Sequence, residues 1–476
     1  MKFEQRLTRR RMLGASVFVG GLAMLSPGRL ALAATTPDPF ILRAGKGTAM
    51  LRPVPYSPTQ VWNYNGTVPG AEIRVRQGDR LRVLAQNGLD DPTTVHWHGI
   101  RTPNAMDGVP FLTQDPIAAG QEFLYEFDVL DAGTFWYHPH HRSSEQVGRG
   151  LYGPLIVEEV DPIRVDRDLT WMLDDWRMTK NGQISDDFDS RHDAVHGGRV
   201  GNAVTINGKV PETMEIRAGE RVRLRLVNAA NARIFGLDFG DLSPMIIAMD
   251  GQPVTPHAPE SGVIVLGPAM RIDLVIDMTG KPGDTVSVAD VFYKDLEYRL
   301  IDLTYASEPL RSTVPDWPIA LAPNPLTEPD LAAATRHQIV FNGGMMGQMM
   351  MGAGMANMME QMRDGNMWFI NGKAEKGPIK DPLLTLPLGT SHVFEMENRT
   401  RWAHPIHFHG HSFRVIARNG QPTKYNEWQD TVMMAPQERV DIAFVADNPG
   451  DWMFHCHILE HQSAGMMGVV RVSSAV

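Results

Sequence analysis

The sequence predicts an all-β protein built from three consecutive β-sandwich domains, and three observations carry that reading. Gly and Pro number 44 and 34 in a non-repetitive chain of 476 residues, a turn-rich composition that favours short strands over long helices. One unit is written three times: "YNGTVPG" (64–70) leads into "EIRVRQGDRLRVLAQN" (72–87), "INGKVPE" (206–212) into "EIRAGERVRLRLVNAAN" (215–231), and "INGKAEK" (370–376) into "LLTLPLGTSHVFEMENRT" (383–400). Within each unit polar and apolar residues alternate, as Leu81, Val83 and Ala85 do against Arg80 and Arg82, which is the period of a half-buried strand. Each unit therefore reads as an Asn-Gly turn, a strand, a Gly turn and a second strand.

A chain of this length exceeds one ordinary core. Domains are expected over residues 35–160, 161–308 and 336–476, with a linker over 309–335. Ahead of them, "TRRRMLGASVFVGGLAML" sets Arg9–Arg11 before a short apolar run, and Ala31–Ala33 offer a small-residue cleavage site. These are the features of a removable export leader over residues 1–34, and its arginine run resembles the twin-arginine signal. The expected compartment is the periplasm, reached through the twin-arginine export machinery, with no membrane span in the mature protein. A net charge of −10 gives no basic footprint for nucleic acid, and a single cysteine rules out an internal disulfide. A monomer is expected.

The first and third copies share more than the scaffold. "TVHWHGI" (94–100) parallels "PIHFHGH" (405–411), and "GTFWYHPH" (133–140) parallels "GDWMFHCH" (450–457). Residues i and i+2 of a strand share a face, so each His-x-His pair points both rings the same way. If the two domains meet across those faces, eight imidazoles converge. The middle copy has "FGLDFGD" where the first pair would fall, and reads as a spacer without ligands. His257, His337 and His392 read as structural. His192 and His196 would suit a metal only on a helix, and Gly197-Gly198 places them on a loop.

Cys456 sharpens the choice of metal. It lies between His455 and His457 in "HCHILEHQSAGMM" (455–467). A thiolate with two imidazoles and a weak axial thioether is the donor set of a blue-copper electron-transfer site, and His404, His461 and Met466 supply the remainder. Met467 is the alternative axial ligand. Structural zinc sites bring more thiolates and no thioether.

With these motifs the chain resembles the multicopper oxidases, the family of laccases, ascorbate oxidases and bacterial cuprous oxidases. "HWHG", "WYHPH", "HPIHFHG" and "HCHILEHQSAGMM" all match, over all three domains. The resemblance implies cupredoxin-like Greek-key sandwiches and four copper ions: one type 1, one type 2 and a type 3 pair. It assigns His404, Cys456, His461 and Met466 to type 1, and His96 and His407 to type 2. It assigns His98, His138, His140, His409, His455 and His457 to type 3. It further implies four one-electron oxidations coupled to reduction of O₂ to water, with Cys456 as electron entry and its backbone as the route onward. Asp107, in "HWHGIRTPNAMDG", matches the acid expected to shuttle protons at the oxygen-binding site. Gln462 stands where many bacterial relatives have a second acid, and an amide cannot relay a proton. Glu460 is near in sequence.

"GGMMGQMMMGAGMANMMEQMRDGNM" (343–367) holds ten methionines, and an insert is expected over 344–367. On a helix Met349, Met351, Met355, Met358, Met359 and Met362 would cluster, and thioethers favour Cu(I). The expected substrate is therefore Cu(I), in copper tolerance, as in periplasmic cuprous oxidases. Against a dedicated docking site, "NRTRWAH" (398–404) has Thr400 and Trp402 where some of those enzymes place an acid and a methionine. The alternatives are a laccase-like oxidase of phenols or amines, or of Fe(II) or Mn(II). A non-catalytic copper-binding protein and a copper nitrite reductase fit the full ligand set less well.

Overall fold

The computed structural model describes residues 38–344, 365–379, 381–425 and 427–474. The leader over 1–34 and Met349, Met351, Met355, Met358, Met359 and Met362 lie outside the described residues.

The three written copies fold as three copies. In each, Asn-Gly takes the two left-handed positions of a tight hairpin turn, with φ of 54° and 84° at Asn65-Gly66, 51° and 72° at Asn207-Gly208, and 51° and 77° at Asn371-Gly372. Gly and Asn tolerate that region best. The Asn side chain then ties the turn to the neighbouring strand. Asn65 accepts from the Arg43 N–H and donates to the Ile41 carbonyl, both at 2.7 Å. Asn207 accepts from Met172 and donates to Thr170, both at 2.8 Å. Asn371 accepts from Val340 at 2.7 Å and donates to Gln338 at 3.1 Å.

Strand order repeats in the same way. In one sheet of each sandwich the leading strand (Phe40–Ala49, Arg167–Trp176, Thr335–Gly343) pairs antiparallel with the strand before the Asn-Gly turn. On its other side it runs parallel to Arg80–Asn87, Arg221–Asn228 or Ser391–Asn398. In the facing sheet, Ile73–Arg76, Thr213–Ile216 and Leu384–Pro387 run parallel to Gly153–Glu158, Tyr298–Tyr305 and Met467–Ser473. Among the described residues the sheets have four and four, six and five, and seven and five strands, and a separate apolar core fills each pair. A fourth cluster, including Trp136, Met172, Trp176 and Leu459, joins the sandwiches.

One strand departs from its pattern. Arg221–Asn228 alternates like a half-exposed strand, yet all eight residues are buried, because the first sandwich covers its polar face. Arg223 meets Glu159 and Asp273, both at 2.7 Å, and Arg225 meets Asp168 at 2.7 Å and Asp273 at 3.1 Å. Buried guanidinium groups persist only when paired in this way. The insert is also shorter than expected at its C-terminal end. Met367 packs in the third core, and its N–H donates to the Ala464 carbonyl at 2.8 Å.

Replacing Asn371 by Ala removes two hydrogen bonds worth about 1 kcal/mol each and places a Cβ in the left-handed region at a cost of roughly 1–2 kcal/mol. Asn371→Gly loses only the bonds. Urea unfolding is therefore expected to show a clear loss of stability for both variants, larger for Ala; equal loss would remove the conformational part of the argument.

Candidate metal centre

Two donor clusters form, one within the third sandwich and one where the first and third sandwiches meet. In the first, Cys456 closes the strand Gly450–Cys456 and lies opposite Ile406 on the strand His404–Phe408. His461 comes from a one-turn helix, Leu459–Ser463. The Cys456 thiol is 3.4 Å from Nδ1 of His404 and 3.8 Å from Nδ1 of His461, and the two nitrogens are 3.2 Å apart. Outer partners fix both tautomers. His404 Nε2 donates to the Thr400 hydroxyl at 2.8 Å, and His461 Nε2 donates to the His196 carbonyl at 2.6 Å. Both Nδ1 lone pairs are thus left facing the sulfur. Met466 is fully buried in the same core cluster as Cys456, whereas Met467 is only partly buried and lines a separate cavity beside Phe111. The axial position therefore favours Met466.

Burial pushes the Cys456 thiol well up, and Glu460 adds to the shift against the Ile458 N–H. Burial also pushes His404 well below its usual value and His461 down to about 3. At neutral pH the imidazoles are uncharged ligands, and the thiol gives up its proton only to a cation.

The second cluster holds the eight paired histidines, all buried. Their ligand atoms gather as His98, His138 and His457, as His140, His409 and His455, and as His96 and His407 beside His98. Strand register does this, with His96 opposite His138 and His407 opposite His455. The second nitrogen of most rings is already engaged. His96 donates from Nδ1 to the Asp107 carbonyl at 2.7 Å, and His407 to the Asp430 carbonyl at 2.8 Å. His455 donates to the Cys456 carbonyl at 2.9 Å and His409 to the Asp107 carboxylate at 2.9 Å. His98 alone uses Nε2, toward Asp430 and Thr431, both at 3.1 Å.

Two observations show that this pocket fits metal ions. Nε2 of His96, His140 and His407 and Nδ1 of His457 are buried with no hydrogen-bond partner, at a cost of roughly 1–3 kcal/mol each unless something binds them. Nitrogens left as acceptors face one another at 3.1 Å between His409 and His455. That repels unless a cation is bound by both. Burial, reinforced by neighbouring rings, holds His98, His138, His140, His409, His455 and His457 well below the usual range.

Asp107 stands where the sequence places it, bridging the two sandwiches. One carboxylate oxygen is 2.9 Å from His409 Nδ1 and the other 3.2 Å from His96 Nδ1. Glu460 turns away from the cluster and accepts from Asn231 and from the Arg199 N–H, both at 3.0 Å. Burial raises its carboxyl to about 7. Gln462 lies 3.4 Å from His140 Nδ1.

The middle sandwich is more than the expected spacer. Its Arg271 is fully buried and touches all three sandwiches. It donates to the Thr134 carbonyl at 3.2 Å, to the Asp250 carbonyl at 2.9 Å, and to both Asp430 oxygens at 2.8 and 2.5 Å. Asp430 in turn orients His98 and His407. Burial alone would raise the Asp430 carboxyl; Arg271 and His407 outweigh it and hold it well down. Gly99, in "HWHG", is forced by this contact, since a Cβ there would lie 2.2 Å from the guanidinium. The loop expected around His192 is instead a one-turn helix, Arg191–Val195, with His196 as its cap. Ser190 nucleates it by accepting from the Asp193 N–H at 3.2 Å.

Family models described as multicopper oxidase match residues 47–161, 167–307 and 352–476. The chain is 31% identical to multicopper oxidase MmcO of Mycobacterium tuberculosis, over 92% of this chain and 86% of that one. It is 29% identical to laccase-1 of Botryotinia fuckeliana, over 85% and 77%. Among solved structures it matches a multi-copper oxidase from Pseudomonas thermotolerans at TM-score 0.81 and 35% identity, covering 92% and 99%. It also matches a multicopper oxidase from Campylobacter jejuni, described as a metallo-oxidase, at TM-score 0.75 and 28% identity, covering 91% and 90%.

Arg271→Met should leave Asp430 and Asp250 as unpaired buried carboxylates, at a cost of about 3–5 kcal/mol. Copper content and thermal stability are both expected to fall. Full copper loading in a stable Arg271→Met protein would show that Asp430 holds His98 and His407 without help.

Proposed function

Because the chain belongs to the multicopper oxidase family, whose members carry four coppers and use O₂, we propose that it oxidises Cu(I) in copper tolerance. The observation that carries the oxidase reading is the position of Cys456. Its thiol joins one donor triad, with His404 and His461, while its chain neighbours His457 and His455 each join a different triad of the histidine cluster. His404, Cys456, His461 and Met466 would hold type 1 copper, and His96 and His407 type 2. His98, His138 and His457 would hold one type 3 ion, and His140, His409 and His455 the other. When bound, the coppers supply the one-electron chemistry that draws four electrons from substrate and delivers them to O₂. The protein adds a short path from the thiolate through the backbone, helped by the bond from His455 to the Cys456 carbonyl. Asp107, between His96 and His409, would relay the protons that oxygen reduction consumes.

Two features support Cu(I). The outer N–H groups of His404 and His461 are bonded within the protein, so a phenol hydroxyl finds no ring N–H to pair with. The methionine-rich segment supplies soft ligands near in sequence to Trp368, whose ring lies 5.0 Å from His404. A laccase-like reading draws support from the similarity to laccase-1, and oxidation of Fe(II) from that to the iron transport multicopper oxidase FET5 of Saccharomyces cerevisiae. The leader supports periplasmic export by the twin-arginine route.

Asp107→Asn is expected to slow reoxidation of the reduced enzyme by O₂ about 100-fold while substrate still reduces type 1 copper. Anaerobic reduction followed by rapid mixing with O₂ measures this, and unchanged reoxidation would remove Asp107 from proton delivery. Deleting residues 345–364, and leaving Met367 in its core, tests the substrate. Cu(I) turnover should fall while that of a bulky phenol rises. Parallel changes in kcat/KM for both would favour the laccase-like reading.

A further inference from the structure

Beside the thiol-containing cluster lies a cavity of about 670 Å³ between the second and third sandwiches. Its walls include His192, His196, Phe292, Tyr293 and Trp402. The helix Arg191–Val195 and its cap are wedged over that cluster by their carbonyls. Ala194 accepts from the Trp368 indole at 2.5 Å, and His196 accepts from His461 Nε2 at 2.6 Å. With the backbone turned inward, the two histidine side chains are left on the cavity side. Their rings stack with centroids 4.4 Å apart, and the His196 ring meets Trp402 edge-on at 5.8 Å.

We propose that His192 and His196 form the docking site of the metal-ion substrate, Cu(I), a step that rests on the cuprous-oxidase reading above. Histidines four residues apart across a helical turn are a metal-chelating spacing, and imidazole suits copper. His196 spends Nδ1 on the His192 carbonyl at 2.7 Å, which leaves Nε2 as its ligand atom. The side chain of His192 is 79% exposed, with room to turn its ring toward the same ion. Arg177 on the same wall adds little repulsion, because Asp187 and Asp193 pair with it at 2.9 and 2.6 Å. From an ion on the His196 ring to the His461 ring the path is a few covalent bonds and one hydrogen bond. Each Cu(I) gives up one electron along it and leaves as Cu(II). Four such electrons, with four protons, reduce one O₂ to two waters in the family reaction.

The test uses the copper-loaded full chain, His192→Ala and the His192→Ala/His196→Ala pair. Every substitution keeps the residue 196 carbonyl, so an intact type 1 visible band confirms that the electron-entry site is undisturbed. Titration with Ag(I), a redox-inert stand-in for Cu(I), is expected to show one fewer bound equivalent in the double variant. The ratio of kcat/KM for Cu(I) to that for a phenol should fall about tenfold, mainly through KM for Cu(I). An unchanged Ag(I) stoichiometry overturns the site, and so does an unchanged ratio. If the wild-type protein does not oxidise Cu(I), the substrate reading fails on its own, and the Ag(I) count alone still decides whether the pair binds metal.

Discussion

The arrangement depends on one buried cation. Arg271 sits at the junction of the three sandwiches, with bonds to a first-sandwich carbonyl, to Asp250 of its own sandwich and to Asp430 of the third. Taking a guanidinium and two carboxylates out of water is costly, and the geometry offsets that cost only because every group is satisfied at once. Asp250 completes the set by accepting from the Asp430 and Thr431 N–H groups at 3.2 and 3.0 Å. The outcome is orientation: Asp430 cannot turn away from His98 and His407. A copy of the repeat that carries no ligand thus positions the ligands of its neighbours.

The two ends of the middle sandwich therefore serve the two clusters differently. At the histidine cluster it contributes charge, through Arg271 and Asp250. At the thiol cluster it contributes a carbonyl, from His196, which fixes the tautomer of His461 by a neutral bond. Outer partners of this kind set ring orientation and ligand basicity. Thr400 does the same for His404, itself anchored by donating to Asn398 at 2.7 Å.

What was legible in the sequence follows from this division. The four His-x-His pairs could be read because strand alternation is local and because one copy of the repeat lacks them. Asp107 could be read from its motif. Arg271 could not, since its partner Asp430 is 159 residues away and an arginine within an alternating strand looks like a solvated one. The strand Arg221–Asn228 misleads for the same reason: alternation reports two faces, and cannot say that a neighbouring sandwich covers the second. The carbonyl of His196 leaves no signature at all, because every residue has one. For His192 and His196 the glycines suggest a loop, whereas Ser190, which caps the turn in the structure, is the residue that could have signalled a helix.

The shared histidine interface also bears on assembly. His138 and His457 face each other from positions 319 residues apart, and Asp107 and His409 from 302. Neither terminal sandwich alone holds a complete set of donors for the histidine cluster, and its rings are sealed from solvent once the two have met. Capture of the full complement of metal therefore checks that synthesis has reached the last sandwich and that all three have docked. A chain truncated before Cys456 keeps one intact ligand-bearing sandwich, yet gains none of the stabilisation that binding would return to a finished molecule.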